Sequence, residues 1–87
     1  MPYRVELGRK ARKFLVSLPD KTLRARLKDA IDGLAKDARP PECLKMKGED
    51  GLYRIRVGDY RIIYQIQDPV LVVLVVQIGN RREIHRQ

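Results

Sequence analysis

Cysteine and histidine each occur once in this chain of 87 residues, and tryptophan not at all. The single thiol, Cys43, excludes an intramolecular disulfide framework and gives no cysteine-rich metal site. Small secreted domains generally need such staples, so the expected home is the cytoplasm. Long apolar runs are missing too. The longest, residues 70–76, falls far short of the ~20 residues that a membrane-spanning helix requires. The opening stretch MPYRVELGRK carries charges where a secretory signal needs an apolar run. No repeat, low-complexity segment or linker interrupts the chain, and its length suits one domain over residues 1–87.

Negative charge is scarce relative to positive. Eleven Asp and Glu stand against 19 Lys and Arg, a formal net charge of +8. Such a chain attracts acidic partners: nucleic acid, an acidic protein or anionic lipid. Net charge does not choose among them. The 44% of hydrophobic residues argues for a folded core rather than a disordered chain.

Residues 52–66, LYRIRVGDYRIIYQI, tell most about where that charge goes. Gly58-Asp59 is a two-residue hairpin signal, with glycine supplying the positive φ such turns need. A loop of those two residues sets Val57 opposite Tyr60, Arg56 opposite Arg61, Ile55 opposite Ile62 and Arg54 opposite Ile63. Side chains alternate along strands, so Tyr53, Ile55, Val57, Tyr60, Ile62, Tyr64 and Ile66 share an apolar face fit for a core. Arg54, Arg56 and Arg61 occupy the other face. Like charges directly opposed across a strand pair are destabilising, which makes a polyanion a natural occupant.

Around this hairpin the spacing predicts the remaining elements. Tyr3, Val5 and Leu7 alternate with charge in a short strand over residues 2–7. Ala11, Phe14, Leu15 and Leu18 fall at helical spacing over residues 8–18. Pro19-Asp20 ends that helix, and Asp20 is placed to cap the next. Leu23, Leu27, Ala30, Ile31 and Leu34 define the second helix, which stops before Pro40-Pro41 and forms an antiparallel helical hairpin with the first. Residues 40–51 read as a loop, with Leu44 and Met46 anchored on the core. After the hairpin strands (52–57 and 60–67), Asp68-Pro69 is a turn. VLVVLVVQI, residues 70–78, lacks polar alternation and reads as a central strand covered on both sides. The fold class is α+β: an N-terminal strand, two helices, then a three-stranded antiparallel meander, with the helices on one sheet face.

The tail Gly79-Asn80-Arg81-Arg82-Glu83-Ile84-His85 leaves the central strand at one end of the sheet. Imidazole is the side chain readiest to exchange a proton near neutrality, and His85 is the only one present. Guanidinium groups with one histidine suit RNA scission. The 2′-hydroxyl loses a proton as it attacks, charge builds on the phosphoryl oxygens, and the 5′-oxygen departs.

The helical hairpin, LYRIRVGDYRIIYQI, the apolar VLVVLVVQI and the terminal GNRREIHR together resemble the RelE/ParE superfamily of bacterial type II toxins, over essentially the whole chain. The resemblance implies a small α+β toxin neutralised by a cognate RelB-like antitoxin. RelE-type members enter the ribosomal A site and cut translated mRNA, without a metal or other cofactor; ParE-type members inhibit DNA gyrase. By position, Arg54 and Arg56 match the two basic residues before the hairpin turn, Arg61 the one after it, and Arg81 the arginine following the central strand. His85 falls where the family usually has tyrosine, and the strand arginines replace lysines. Arginine is a poor base at neutral pH. The expected division is therefore His85 for proton transfer and Arg56, Arg61 and Arg81 for holding the phosphate. Arg54, Lys45, Lys47, Arg82 and Arg86 are expected to contact RNA, and the helical basic residues to meet ribosomal RNA without sequence preference. No membrane contact is expected.

Plainer roles exist for each. The strand arginines also suit a solvated face or ion pairs to an antitoxin, and Lys45 and Lys47 a free basic loop. Tyr53, Tyr60 and Tyr64 suit core packing better than base stacking, and Cys43 a small apolar filler.

Overall fold

In a computed structural model of the protein, residues 2–48 and 51–80 are described. Strand β1 (Arg4–Leu7) leads into helix α1 (Arg9–Ser17) and helix α2 (Lys21–Lys36). A two-residue strand β2 (Leu44–Lys45) precedes the long hairpin β3 (Leu52–Val57) and β4 (Tyr60–Gln67). A 3-10 turn (Asp68–Val70) then feeds β5 (Val72–Asn80). The five strands form one sheet in the order β1-β5-β4-β3-β2.

The α+β reading and its antiparallel β3-β4-β5 meander stand, with the hairpin register as read from the sequence: Val57 opposite Tyr60, Arg56 opposite Arg61, Ile55 opposite Ile62 and Arg54 opposite Ile63. Gly58 takes φ +60 while Asp59 stays at negative φ, the pattern of a type II′ turn whose twist matches the flanking strands. Asp20 caps α2 as expected, its side chain accepting from Leu23 N at 3.0 Å.

Both helices bury their apolar stripes on one face of the sheet. Ala11 and Leu15 of α1 and Leu27, Ile31 and Leu34 of α2 join Ile55, Ile62, Tyr64, Ile66, Val73, Val75 and Ile78 in one core. Each fully buried aliphatic side chain there contributes about 1.5–3 kcal/mol relative to leaving it in water. Tyr53, Val57 and Tyr60 pack at its margin, as core residues rather than exposed rings. Tyr64, the largest side chain fully inside, donates its hydroxyl to Ala38 O at 2.9 Å. Its burial, with Cys43 next in influence, pushes the phenol pKa up.

Four features add to or differ from the sequence expectation. First, β1 pairs parallel with β5, Arg4 against Val72 through Leu7 against Val75. Second, β2 adds an edge strand inside the expected loop, and Leu44 is exposed rather than anchored. Third, β5 begins two residues late because Leu71 closes the 3-10 turn in the left-handed region (φ +54). Fourth, β5 is flanked by β1 and β4 within the sheet, but only its Val73, Val75 and Ile78 side meets the helices. On the opposite side Val72 is buried and Leu74 half-buried without a helix over them. A register shift opposite Ile63 and Tyr64 bends the strand there.

Candidate functional site

Strand alternation and the II′ turn bring Arg54, Arg56 and Arg61 onto the sheet face away from the helices. Arg56 and Arg61 are Cα partners, and Arg54 lies two residue pairs further along the same ladder, paired with Ile63 on one side and Leu44 on the other. All three line a small cleft of about 130 Å³ together with Glu42, Leu44 and Ile55. Arg56 donates from Nε to Gly58 O at 3.0 Å, which ties its guanidinium to the hairpin turn. A second cation approaches the same turn from α2: a Cβ placed on Gly58 would lie 3.6 Å from Arg26 Nη2.

Other expected contacts are placed differently. Lys45 pairs with Tyr53, so alternation directs it to the side opposite Leu44 and Arg54. Lys47 follows β2 as an exposed residue and does not line the cleft. Arg81, Arg82, His85 and Arg86 lie outside the described residues. Among the described residues no three His, Cys, Asp or Glu gather into a group that could hold a metal.

Glu42 is the residue that sequence reasoning missed. It follows Pro40-Pro41 in a turn closed by Cys43 N donating to Pro40 O at 3.0 Å. It lines the cleft together with the three arginines, Leu44 and Ile55. Arginine holds its proton at neutral pH, whereas a carboxylate as a class is free to accept one. No local pattern marks this residue in the chain, because the approach to the arginines comes from β2 pairing with β3.

Chemically, such a cleft can bind an anionic oxygen cluster, spread its charge over several fixed guanidinium donors and offer a nearby proton acceptor. A family model described as the ParE toxin of type II toxin-antitoxin systems matches residues 5–85, and the chain belongs to this family, within the RelE/ParE superfamily. Toxin RelG of Mycobacterium tuberculosis is 29% identical over 87 residues, covering 100% of both chains. The archaeal RelE–RelB complex from Pyrococcus horikoshii contains a chain with 34% identity and a TM-score of 0.80, covering 93% of this chain and 97% of that one. A mutant of the E. coli toxin RelE in its free state has 26% identity and a TM-score of 0.81, covering 98% and 90%. No helix among the described residues is long and apolar enough to cross a membrane.

Proposed function

We propose that this toxin is a RelE-type, metal-independent endoribonuclease that cuts mRNA in the ribosomal A site, and that a RelB-like antitoxin holds it inactive. The observation that carries the reading is the cleft formed by Arg54, Arg56, Arg61 and Glu42 on the helix-free face. Opposed arginines are costly to a sheet unless an anion occupies the space between them. A scissile phosphodiester supplies that anion, and its charge grows as the 2′-hydroxyl attacks. In this reading Arg56 and Arg61 bear on the phosphoryl oxygens with Arg81, while Arg54, Arg82 and Arg86 hold the flanking backbone. Glu42 accepts the 2′-hydroxyl proton, leaving His85 to protonate the departing 5′-oxygen. The named relatives support the partner: the Pyrococcus horikoshii RelE chain was solved bound to RelB.

The test is the chemistry of the ends. Incubation with RNA should give a 2′,3′-cyclic phosphate (or 3′-phosphate) and a 5′-hydroxyl, unaffected by EDTA. Cleavage should vanish when the scissile nucleotide carries a 2′-deoxyribose. A 5′-phosphate product, or cleavage that persists at the deoxy position, would contradict the assignment.

Gyrase inhibition is the second reading, favoured by the ParE description of the matching family model. It gives no chemical role to an acidic residue lining the arginine cleft, and the named relatives are RelG and RelE toxins.

A further inference from the structure

The segment between α2 and β2 has no regular structure, yet it is held at several points. Asp37 N donates to Gly33 O at 3.1 Å, Arg39 N to Asp37 Oδ1 at 3.1 Å, and Tyr64 Oη to Ala38 O at 2.9 Å. Arg39 then makes the longest reach. Its Nη2 donates to Asp68 Oδ2 at 2.9 Å, its Nε to Tyr53 Oη at 3.2 Å, and its guanidinium carbon lies 5.4 Å from the Tyr53 ring centroid. Asp68 also accepts from the Tyr3 hydroxyl. Tyr53 in turn stacks on Tyr64, centroids 6.0 Å apart at 22°. One guanidinium thus joins the start of the chain, strand β3 and the 3-10 turn before β5.

An isolated exposed ion pair adds little to a fold. This one differs in what lies beside it. Between Arg39 and Glu42 stand only Pro40 and Pro41, whose rings fix φ and leave the backbone little slack. The closing bond from Cys43 N to Pro40 O completes a rigid turn. A fixed Arg39 therefore limits where the Glu42 backbone stands relative to the arginine cleft.

We propose that Arg39 is a positioning residue for the reaction, which by gripping Asp68 and Tyr53 holds the proline turn so that Glu42 borders the arginines. The proposal rests on the nuclease reading above and deepens it. Arg39 touches no substrate in this account; it acts through Glu42.

The experiment compares wild type, Arg39→Gln, Glu42→Gln and the double variant, with Asp68→Asn as a second way of opening the grip. Single-turnover cleavage of saturating RNA should slow about tenfold in Arg39→Gln, since displacing a reacting group by an ångström can cost up to ~100-fold. Affinity for a non-cleavable 2′-deoxy RNA should stay within about twofold, the limit expected of independent sites. The double variant should be no slower than Glu42→Gln alone. Amide exchange at Cys43 N should quicken in Arg39→Gln and Asp68→Asn. Multiplying effects in the double variant would overturn the proposal, as would rate and affinity falling together. If wild type cuts no RNA, the nuclease reading fails by itself, and Cys43 exchange still judges the grip: unchanged protection in both variants refutes it.

Discussion

Arg56 and Arg61 face each other directly across the β3–β4 ladder, one residue pair (Val57 opposite Tyr60) from the Gly58-Asp59 turn. A sheet built for stability alone would place opposite charges or a β-branched pair there. The opposition therefore separates stability from activity in a way that substitutions can read.

Arg56→Gln removes the cross-strand repulsion and one exposed hydrogen bond to Gly58 O. These effects nearly offset, so the melting temperature should hold within about 4 °C, less than 1 kcal/mol for a domain of this size. Cleavage should nonetheless fall about 100-fold, the scale seen when one charge-stabilising donor is lost. Thermal unfolding and single-turnover cleavage on the same preparation check the pair. Parallel losses in both would make Arg56 a structural residue.

Asp68 sets an acid limit on stability. The Arg39 hydrogen bond first, then that from Tyr3, holds its carboxyl below the ordinary range. A group whose folded pKa is depressed adds stability above its unfolded value and loses it as pH falls through the folded one. The melting-temperature gap between wild type and Asp68→Asn should thus be full at neutral pH and begin to close only as pH falls below about 4, the ordinary aspartate range. A gap independent of pH would show that the ion pair contributes nothing.

Gly8 and Gly33 should respond oppositely to alanine. A Cβ on Gly8 would stand 2.9 Å from Val75 O, where the Gly8 N–H already bonds at 2.7 Å. Moving α1 off β5 to relieve that clash should cost about 1–3 kcal/mol. Gly33, inside α2, has nothing within 4 Å of its would-be Cβ. Gly33→Ala should stabilise by about 0.5–1 kcal/mol through helix propensity. Denaturant unfolding of both variants reads the two signs.

Tyr64→Phe removes the one hydroxyl that satisfies Ala38 O inside the core. Leaving that carbonyl unpaired should cost about 1–3 kcal/mol. Urea midpoints of the two proteins measure it directly, and an unchanged midpoint would mean that water replaces the bond.

The sequence was most legible where local chemistry dictates geometry. A glycine-led two-residue loop sets the hairpin register, and register with alternation sorts Arg54, Arg56 and Arg61 from the tyrosines. Helical spacing and the Asp20 cap likewise need no distant partner. What escaped depends on pairing between remote segments. The parallel β1–β5 ladder, the two-residue β2 and the left-handed Leu71 have no periodic signature. Glu42 and Arg39 escaped for the same reason: each looks like an isolated charge beside prolines until β2 and the 3-10 turn bring up their partners. The placement of Lys45 away from the arginines follows from β2 too, since a strand alternates where a loop does not.

The most direct measurement offers the protein two targets side by side: ribosomes programmed with end-labelled mRNA, and gyrase with relaxed plasmid. The account predicts mRNA cut within the A-site codon and supercoiling that proceeds unhindered. Intact mRNA together with blocked supercoiling would contradict it.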